Sequence, residues 1–219
     1  MKRRIVLLGP PASGKGTQAE LIEELHEIPT ASTGAMMREE QARCTPLGSE
    51  MARWTSEGKL FPDSVALQVL TNWLECGNWD AFVLDGFPRT IGQAQAFGSL
   101  LSDRGGSLDL AISLTLPLDE IRDRVLNRVT CVRCGATYGM TFHRVKPGDP
   151  CVDCGARLER RSDDTLETLD ARLAEHERHT GPVIQFYRDA GLLVEIDAMG
   201  GRDVVAAEIA AAMDGECRS

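Results

Sequence analysis

The chain has 219 residues and a formal net charge of -9, with 42% hydrophobic and 26% charged residues. That length supports one sizeable core with room for small inserted subdomains, and the composition is that of an ordinary globular protein. The acidic balance excludes uniform binding to nucleic acid or to an anionic membrane, while leaving room for a local basic cluster that grips an anionic ligand.

The N-terminal MKRRIVLLGPP has the basic-then-apolar order of a signal peptide. Its apolar run is too short and leads straight into a glycine-rich loop, so a first strand is expected there. IVLLG (5–9), AFVLD (81–85), LAISLTL (110–116) and LLVEID (192–197) are nearly continuous apolar runs, as strands covered on both faces must be. Amphipathic stretches at Lys15 to His26, Asp63 to Glu75 and Leu118 to Arg128 predict helices. A longer one, Leu166 to Asp189, is expected to bend at Gly181-Pro182, because proline removes a backbone donor. Asp203 to Met213 closes the chain as a helix. Strand–helix alternation of this kind predicts an α/β fold with a parallel sheet flanked by helices. Residues 32–61 read as helical and strandless, and residues 129–164 are rich in Gly, Cys, Arg and Asp; both read as insertions into the core. No apolar run is long enough to span a bilayer.

GPPASGKGT (9–17) follows a predicted strand and opens a predicted helix, the context a phosphate-binding loop requires. Glycines let the backbone curl so that successive N–H groups face phosphate oxygens, and the helix N-terminus adds its positive end. Lys15 is expected to reach the β and γ phosphates. Gly16 intervenes before the hydroxyl of Thr17, where the general pattern has Ser or Thr directly after the lysine. The competing reading is a glycine-rich turn with no ligand. Asp85 ends a buried strand beside this loop; an acid there helps to hold Mg²⁺, directly or through water, and is otherwise a strand-end carboxylate capping a turn.

Cys131, Cys134, Cys151 and Cys154 form C-x2-C-x16-C-x2-C, a zinc spacing. Four thiolates fill a tetrahedral Zn²⁺ and leave no position for substrate, so such a metal is structural. The rivals are a disulfide pair, iron in the same thiolates, and a zinc ribbon that binds nucleic acid, against which the acidic balance counts. Cys44, Cys76 and Cys217 are scattered, which suits reduced thiols in a cytoplasm.

GPPASGKGTQ, ASTGAMMRE, EGKLFPD, DGFPRTIGQAQAF, DRVLNR and RRSDDTLETLDARL resemble successive motifs of the adenylate kinase family, in that family's order and over nearly the whole chain. The two CxxC pairs resemble the zinc-bearing lid of its long bacterial form. The resemblance implies a P-loop NTPase fold in three parts: a core of residues 1–31, 62–127 and 165–219, a monophosphate-binding insertion at 32–61, and a lid at 128–164. It implies reversible, Mg²⁺-dependent transfer of the γ-phosphoryl of ATP to AMP, giving two ADP, with lid closure excluding water.

The same resemblance assigns roles residue by residue. Ala12, Ser13, Gly14, Lys15, Gly16 and Thr17 form the ATP phosphate loop, and Arg124 and Gly200 lie at the ATP adenine. Thr137 and Tyr138 lie where the lid meets the ATP adenosine, with Tyr138 equally suited to packing the ribbon. Arg128, Arg161 and Arg172 clamp the transferring group, the last two also touching AMP. Arg38 and Arg89 hold the AMP phosphate. Thr33, Lys59, Leu60, Phe61, Gly86, Phe87, Pro88 and Gln93 complete the AMP site, with Gln93 at the adenine edge. Asp163 and Asp164 are expected to pair with arginines rather than act as bases. A planar guanidinium suits these positions because it gives bidentate bonds to phosphate and keeps its charge.

Several residues depart from the family pattern. Ala12 stands at a usual loop glycine, Ala35 at the aspartate of STGDM, Phe61 at a smaller aliphatic residue, and Ala198 at the glycine after the last strand; TFHRVKP lies where an asparagine and two prolines are common. None removes a phosphate-binding cation. The expectation is a cytoplasmic, monomeric enzyme with ATP and AMP as partners, Mg²⁺ in catalysis and Zn²⁺ in the lid, without nucleic-acid or membrane partners. Its rivals are a related monophosphate kinase with another base preference and a nucleotide-binding regulator with little turnover.

Overall fold

The computed structural model describes residues 1–36, 62–161 and 164–215. Its strands in chain order are β1 (Arg4–Leu8), β2 (Thr30–Ser32), β3 (Phe82–Asp85), β4 (Leu110–Thr115), β5 (Arg128–Cys131), β6 (Thr137–Gly139), β7 (Leu158–Glu159) and β8 (Leu193–Asp197). The helices are α1 (Lys15–His26), α2 (Asp63–Glu75), α3 (Ile91–Ser102), α4 (Leu118–Leu126), α5 (Met140–His143), α6 (Leu166–Glu175), α7 (Gly181–Asp189) and α8 (Arg202–Asp214).

Five strands form one parallel sheet in the order β2-β3-β1-β4-β8. The continuous apolar runs of the sequence are explained by burial on both faces. Along β1, Val6 and Leu8 enter a cluster with Leu70, Leu74, Phe97 and Val183 from α2, α3 and α7. The alternate residues Ile5 and Leu7 meet Ala19 and Ile22 of α1 and Val205 and Ile209 of α8 on the opposite face. Side chains alternate across a strand, so both faces need helices before every position can be apolar. Leu70 and Leu74 are fully buried, each contributing roughly 1.5–3 kcal/mol of transfer free energy.

β1 lies between β3 and β4, with β2 beyond one and β8 beyond the other. This is the reversal of strand order that opens a crevice beyond the carboxyl ends of the strands. The loop after β1, Asp85 at the end of β3, and the turn after β8 all emerge at that edge.

Between β4 and β8 the chain builds a second, antiparallel sheet in the order β6-β5-β7. Its interior is small: Val129, Cys131, Tyr138, Cys151 and Leu158 are its buried members. A core of that size does not hold a fold together unaided.

Three details differ from the sequence-based expectation. β2 is a strand that its three residues did not announce, and Ser32 places its end inside the stretch read as strandless. The helix read as Leu118 to Arg128 stops at Leu126, because Arg128 already pairs with Gly139 in the small sheet. The bend expected at Gly181-Pro182 is a π-helical turn over His176–Thr180, and the Gly181 N–H reaches back to the His176 carbonyl. The wider turn precedes the proline because the chain must clear Pro182's ring and missing donor before α7 begins.

Candidate functional site

The loop between β1 and α1 is shaped by backbone demands. Gly9 has φ 135, and a β-carbon there would meet the Leu114 carbonyl at 2.5 Å; Gly14 has φ 93. Ala12 holds the left-handed conformation, φ 59, that glycine adopts without strain. Its methyl packs against Ile121, Val125 and Leu169, the helices on either side of the small sheet.

Lys15, the first residue of α1, folds back over this loop. Its Nζ donates to the carbonyls of Gly9 (2.9 Å) and Pro10 (2.7 Å) and to Ser13 Oγ (3.2 Å). Burial pulls the Lys15 ammonium down to about 8; Asp85 acts in the opposite direction, while Arg89, Arg172 and Arg128 push it lower. Four of the expected cations and the expected acid therefore share one electrostatic environment. Asp85 stands at the loop itself: a β-carbon on Gly16 would lie 3.6 Å from Asp85 Oδ2.

Arg89 is anchored on the turn after β3. Its backbone N–H donates to Gln93 Oε1 at 2.8 Å, its Nε donates to the Gly86 carbonyl at 2.7 Å, and its carbonyl accepts from the Thr180 hydroxyl at 3.4 Å. Burial draws this guanidinium below its ordinary value, opposed by Asp85. It keeps its charge all the same, since an arginine ordinarily titrates far above neutrality. Thr33 fastens the end of β2 to the same turn, donating to the carbonyls of Asp85 (3.2 Å) and Gly86 (3.0 Å). A β-carbon on Gly86 would come 3.0 Å from both Arg89 Nη2 and Thr33 Oγ1, so only glycine leaves room. The Phe87–Pro88 peptide is cis, and Phe87 is buried in the core against Phe97 at 5.5 Å.

Arg128 and Arg172 meet on Asp164. Arg128 Nε donates to Asp164 Oδ2 at 2.8 Å and its Nη2 donates to Oδ1; Arg172 Nη1 lies 3.9 Å from the same Oδ1. The carboxylate is 2% exposed, so two guanidiniums share one buried anion. Arg161 follows β7 and reaches across the small sheet, donating to Thr130 Oγ1 of β5 at 3.0 Å and Thr137 Oγ1 of β6 at 3.3 Å. Arg124 donates to Glu120 (2.7 Å) and to the Ala198 carbonyl (2.9 Å), which places it against the turn that carries Gly200. Arg38, Lys59, Leu60, Phe61 and Asp163 lie outside the described residues.

The four cysteines converge. All four Sγ atoms lie within 4.8 Å of one another, with Cys131–Cys154 at 3.4 Å, Cys134–Cys154 at 3.5 Å and Cys134–Cys151 at 3.6 Å. Tetrahedral zinc with bonds of ~2.3 Å sets its sulfurs ~3.8 Å apart, so the cluster fits that ion with small adjustments. The Ala156 backbone N–H, with the Arg133 side chain adding to it, draws the Cys154 thiol down to about 6. Tyr138 belongs to this cluster: its ring is buried and its hydroxyl donates to Asp153 at 2.8 Å and lies 3.2 Å from Cys151 Sγ. Of its two readings, packing of the ribbon is the one that accounts for these contacts.

Three residues escaped sequence reasoning. Asp63, the first residue of α2, accepts from Thr90 Oγ1 (2.9 Å) and Gln93 Nε2 (2.9 Å). Thr90 caps α3, accepting from the Gln93 N–H at 3.1 Å. His176, in the π-helical turn, has a buried Nε2 without a hydrogen-bond partner among the described residues. Burial, then the charges of Lys15 and Arg89, hold its imidazole down to about 4. The T-x-x-Q spacing at 90–93 was a visible capping signature; nothing in the local sequence marks His176.

The chain matches the family model described as adenylate kinase over residues 7–192. It is 43% identical to a protein named adenylate kinase from Moorella thermoacetica over 197 residues, 89% of this chain and 90% of that one. It is 37% identical to an adenylate kinase of Archaeoglobus fulgidus over 201 residues, 91% and 92% of the two chains. A third, from Geobacter sp. strain M21, is 38% identical over 212 residues, 95% and 98% of the two.

Proposed function

This chain belongs to the adenylate kinase family and is an ATP:AMP phosphotransferase; we propose the division of that work among its residues set out here. ATP lies along the loop Ala12–Thr17, with Lys15 on its β and γ phosphates and Arg124 and Gly200 at its adenine. AMP lies beside Thr33, Gly86–Arg89 and Gln93, with Arg38 and the stretch from Lys59 to Phe61 completing its site. Arg89 and Arg38 hold its phosphate, and Arg128, Arg161 and Arg172 close on the group in flight. Asp85 holds the Mg²⁺ that travels with ATP, directly or through water.

The observation that carries this reading is the gathering of Asp85, Arg89, Arg128 and Arg172 around Lys15 at the open edge of the parallel sheet, with Arg128 and Arg172 held on Asp164. Phosphoryl transfer leaves little covalent work for protein groups; the rate comes from alignment and from fixed positive charge where negative charge spreads. Lys15 donates to loop carbonyls, and Arg128 and Arg172 rest on Asp164. Arriving phosphates replace those contacts with stronger, charge-assisted ones. No side chain is needed as a base, because the AMP phosphate is already an anion.

The three-part division also belongs to this reading, with residues 32–61 as the monophosphate-binding insertion and residues 128–164 as the lid that closes over ATP. Closure excludes the water that would otherwise take the phosphoryl group. Cys131, Cys134, Cys151 and Cys154 hold one Zn²⁺ that stiffens the small sheet and takes no part in transfer. The enzyme works as a cytoplasmic monomer, and its four-thiol cluster suits a reducing compartment. Among the described residues no helix is long and apolar enough to cross a membrane.

A coupled assay of ADP formation with ATP and a panel of AMP, UMP and CMP tests the reading. AMP is expected to be the preferred acceptor. Preference for UMP or CMP would move the assignment to a related monophosphate kinase.

A further inference from the structure

Gln93 is 3% exposed, and both ends of its amide are held. Oε1 accepts from the Arg89 backbone N–H at 2.8 Å, and Nε2 donates to Asp63 Oδ1 at 2.9 Å. A backbone N–H can only donate and an ionised carboxylate can only accept. Turned over, the amide would set its amino group against the Arg89 N–H and its oxygen against the carboxylate. Both contacts would become repulsive, and buried groups would be left unpaired. Asp63 is itself fixed, since Thr90 Oγ1 donates to both of its oxygens at 2.9 Å. A β-carbon on Gly92 would fall 2.6 Å from Asp63 Oδ2, so the first turn of α3 closes directly over the carboxylate.

An amide has two N–H donors and two acceptor lone pairs. Held in this way, Gln93 keeps one of each unspent, in a fixed left-to-right order. The adenine edge offers an acceptor, N1, beside a donor, the 6-amino group. A 6-oxopurine offers the reverse, an N1–H beside an acceptor oxygen. An amide that cannot turn over matches the first edge and opposes the second.

We propose that Asp63 is a specificity-determining residue: its carboxylate locks the orientation of the Gln93 amide, and so selects a 6-aminopurine over a 6-oxopurine monophosphate. This rests on the reading that Gln93 meets the AMP base. Asp63 touches no substrate in this account; it acts through Gln93.

The test compares kcat/KM for AMP and for inosine monophosphate in the full-length enzyme and its variants. Asp63→Asn keeps the shape but offers Gln93 either an oxygen or an amino group, so the lock opens from one side. The AMP preference is expected to fall on the order of tenfold, the worth of one charged hydrogen bond, with the KM for ATP unchanged. Asp63→Ser carries the same expectation and serves if the asparagine variant does not fold. A parallel loss toward both acceptors, with their ratio intact, would reduce Asp63 to a structural role and overturn the proposal. Gln93→Leu separates the two levels. If it leaves the AMP preference at the wild-type value, the base-reading role of Gln93 fails and the proposal fails with it. If it abolishes the preference while Asp63→Asn retains it, Gln93 reads the base but Asp63 does not set its orientation.

Discussion

Arg128, the first residue of β5, donates two hydrogen bonds to Asp164, which follows the small sheet in sequence. One ion pair therefore ties together the two crossings between the parallel sheet and the smaller one, and Arg172 leans on the same carboxylate at 3.9 Å.

Removing that anion strands two guanidiniums in a mostly buried place. Breaking a buried pair costs roughly 3–5 kcal/mol. Asp164→Ala is expected to lower the melting temperature by roughly 6–20 °C in this size range. A bound bisubstrate dinucleotide supplies phosphates to the same arginines, so its stabilising shift should be larger in the variant than in wild type. Calorimetry with and without that ligand checks both parts; equal shifts would show that the two arginines do not face the phosphates.

Burial brings the Lys15 ammonium down to about 8. Phosphate favours the charged form, so binding above that pH takes up a proton. Affinity for ATP is expected to be level below about 8 and to fall above it, approaching tenfold per pH unit. Lys15→Met should abolish this pH dependence and lower turnover by ~10³-fold or more. Isothermal titration from pH 6.5 to 9.5 measures the first effect, and steady-state kinetics the second.

His176 is held neutral in the fold, with its pKa down to about 4. The unfolded chain takes up its proton near 6.5. The unfolded state therefore binds more protons between those values, and stability falls as pH drops from 6.5 toward 4. The imidazole is partly solvated, so the loss is on the order of 1–2 kcal/mol. His176→Gln is expected to flatten that part of the stability curve. Urea melts at pH 7 and pH 4.5 decide it: an equal pH dependence in both proteins would contradict the assignment.

Ala12 sits at φ 59 with its methyl against Ile121, Val125 and Leu169. Glycine at this position trades relief of left-handed strain against a lost apolar contact and a more flexible unfolded chain. These effects are each about 1 kcal/mol, so Ala12→Gly should change stability by less than about 1 kcal/mol. Ala12→Val adds β-branching to a left-handed residue and is expected to cost roughly 2–4 kcal/mol. Denaturant melts of the pair measure the difference.

Zinc removal should separate the two sheets energetically. One Zn²⁺ per chain is expected by metal analysis, and Cys131→Ser should lose it and lower the melting temperature. The parallel sheet has its own two-sided core and should retain its circular dichroism. A zinc-free protein with an unaltered melting temperature would count against a structural metal.

Much of this was legible because backbone geometry and burial constrain residue type. Gly9 and Gly14 announce the phosphate loop since their positive φ values exclude most other residues. Runs such as IVLL mark strands because helices cover both faces. β2 was not legible: Thr-Ala-Ser is too short to show a pattern, and its place at the sheet edge comes from pairing with β3. Asp63 reads in sequence as an ordinary acid at a helix start, and its grip on Thr90 and Gln93 exists only once α2 and α3 pack together. Gln93 was expected at a base edge, and its engagement with Arg89 and Asp63 is likewise a product of that packing. His176 looks like a surface helix residue until the fold buries its Nε2 within the π-helical turn.

The central claim is that a ring of fixed cations, rather than any acid or base, carries phosphoryl transfer from ATP to AMP. Its most direct measurement is the rate of ADP formation by Arg172→Met, in which Asp164 keeps its two hydrogen bonds from Arg128, beside wild type at saturating ATP and AMP. A fall in kcat of ~10²–10³-fold with the fold intact is the predicted result; a kcat equal to wild type would contradict it.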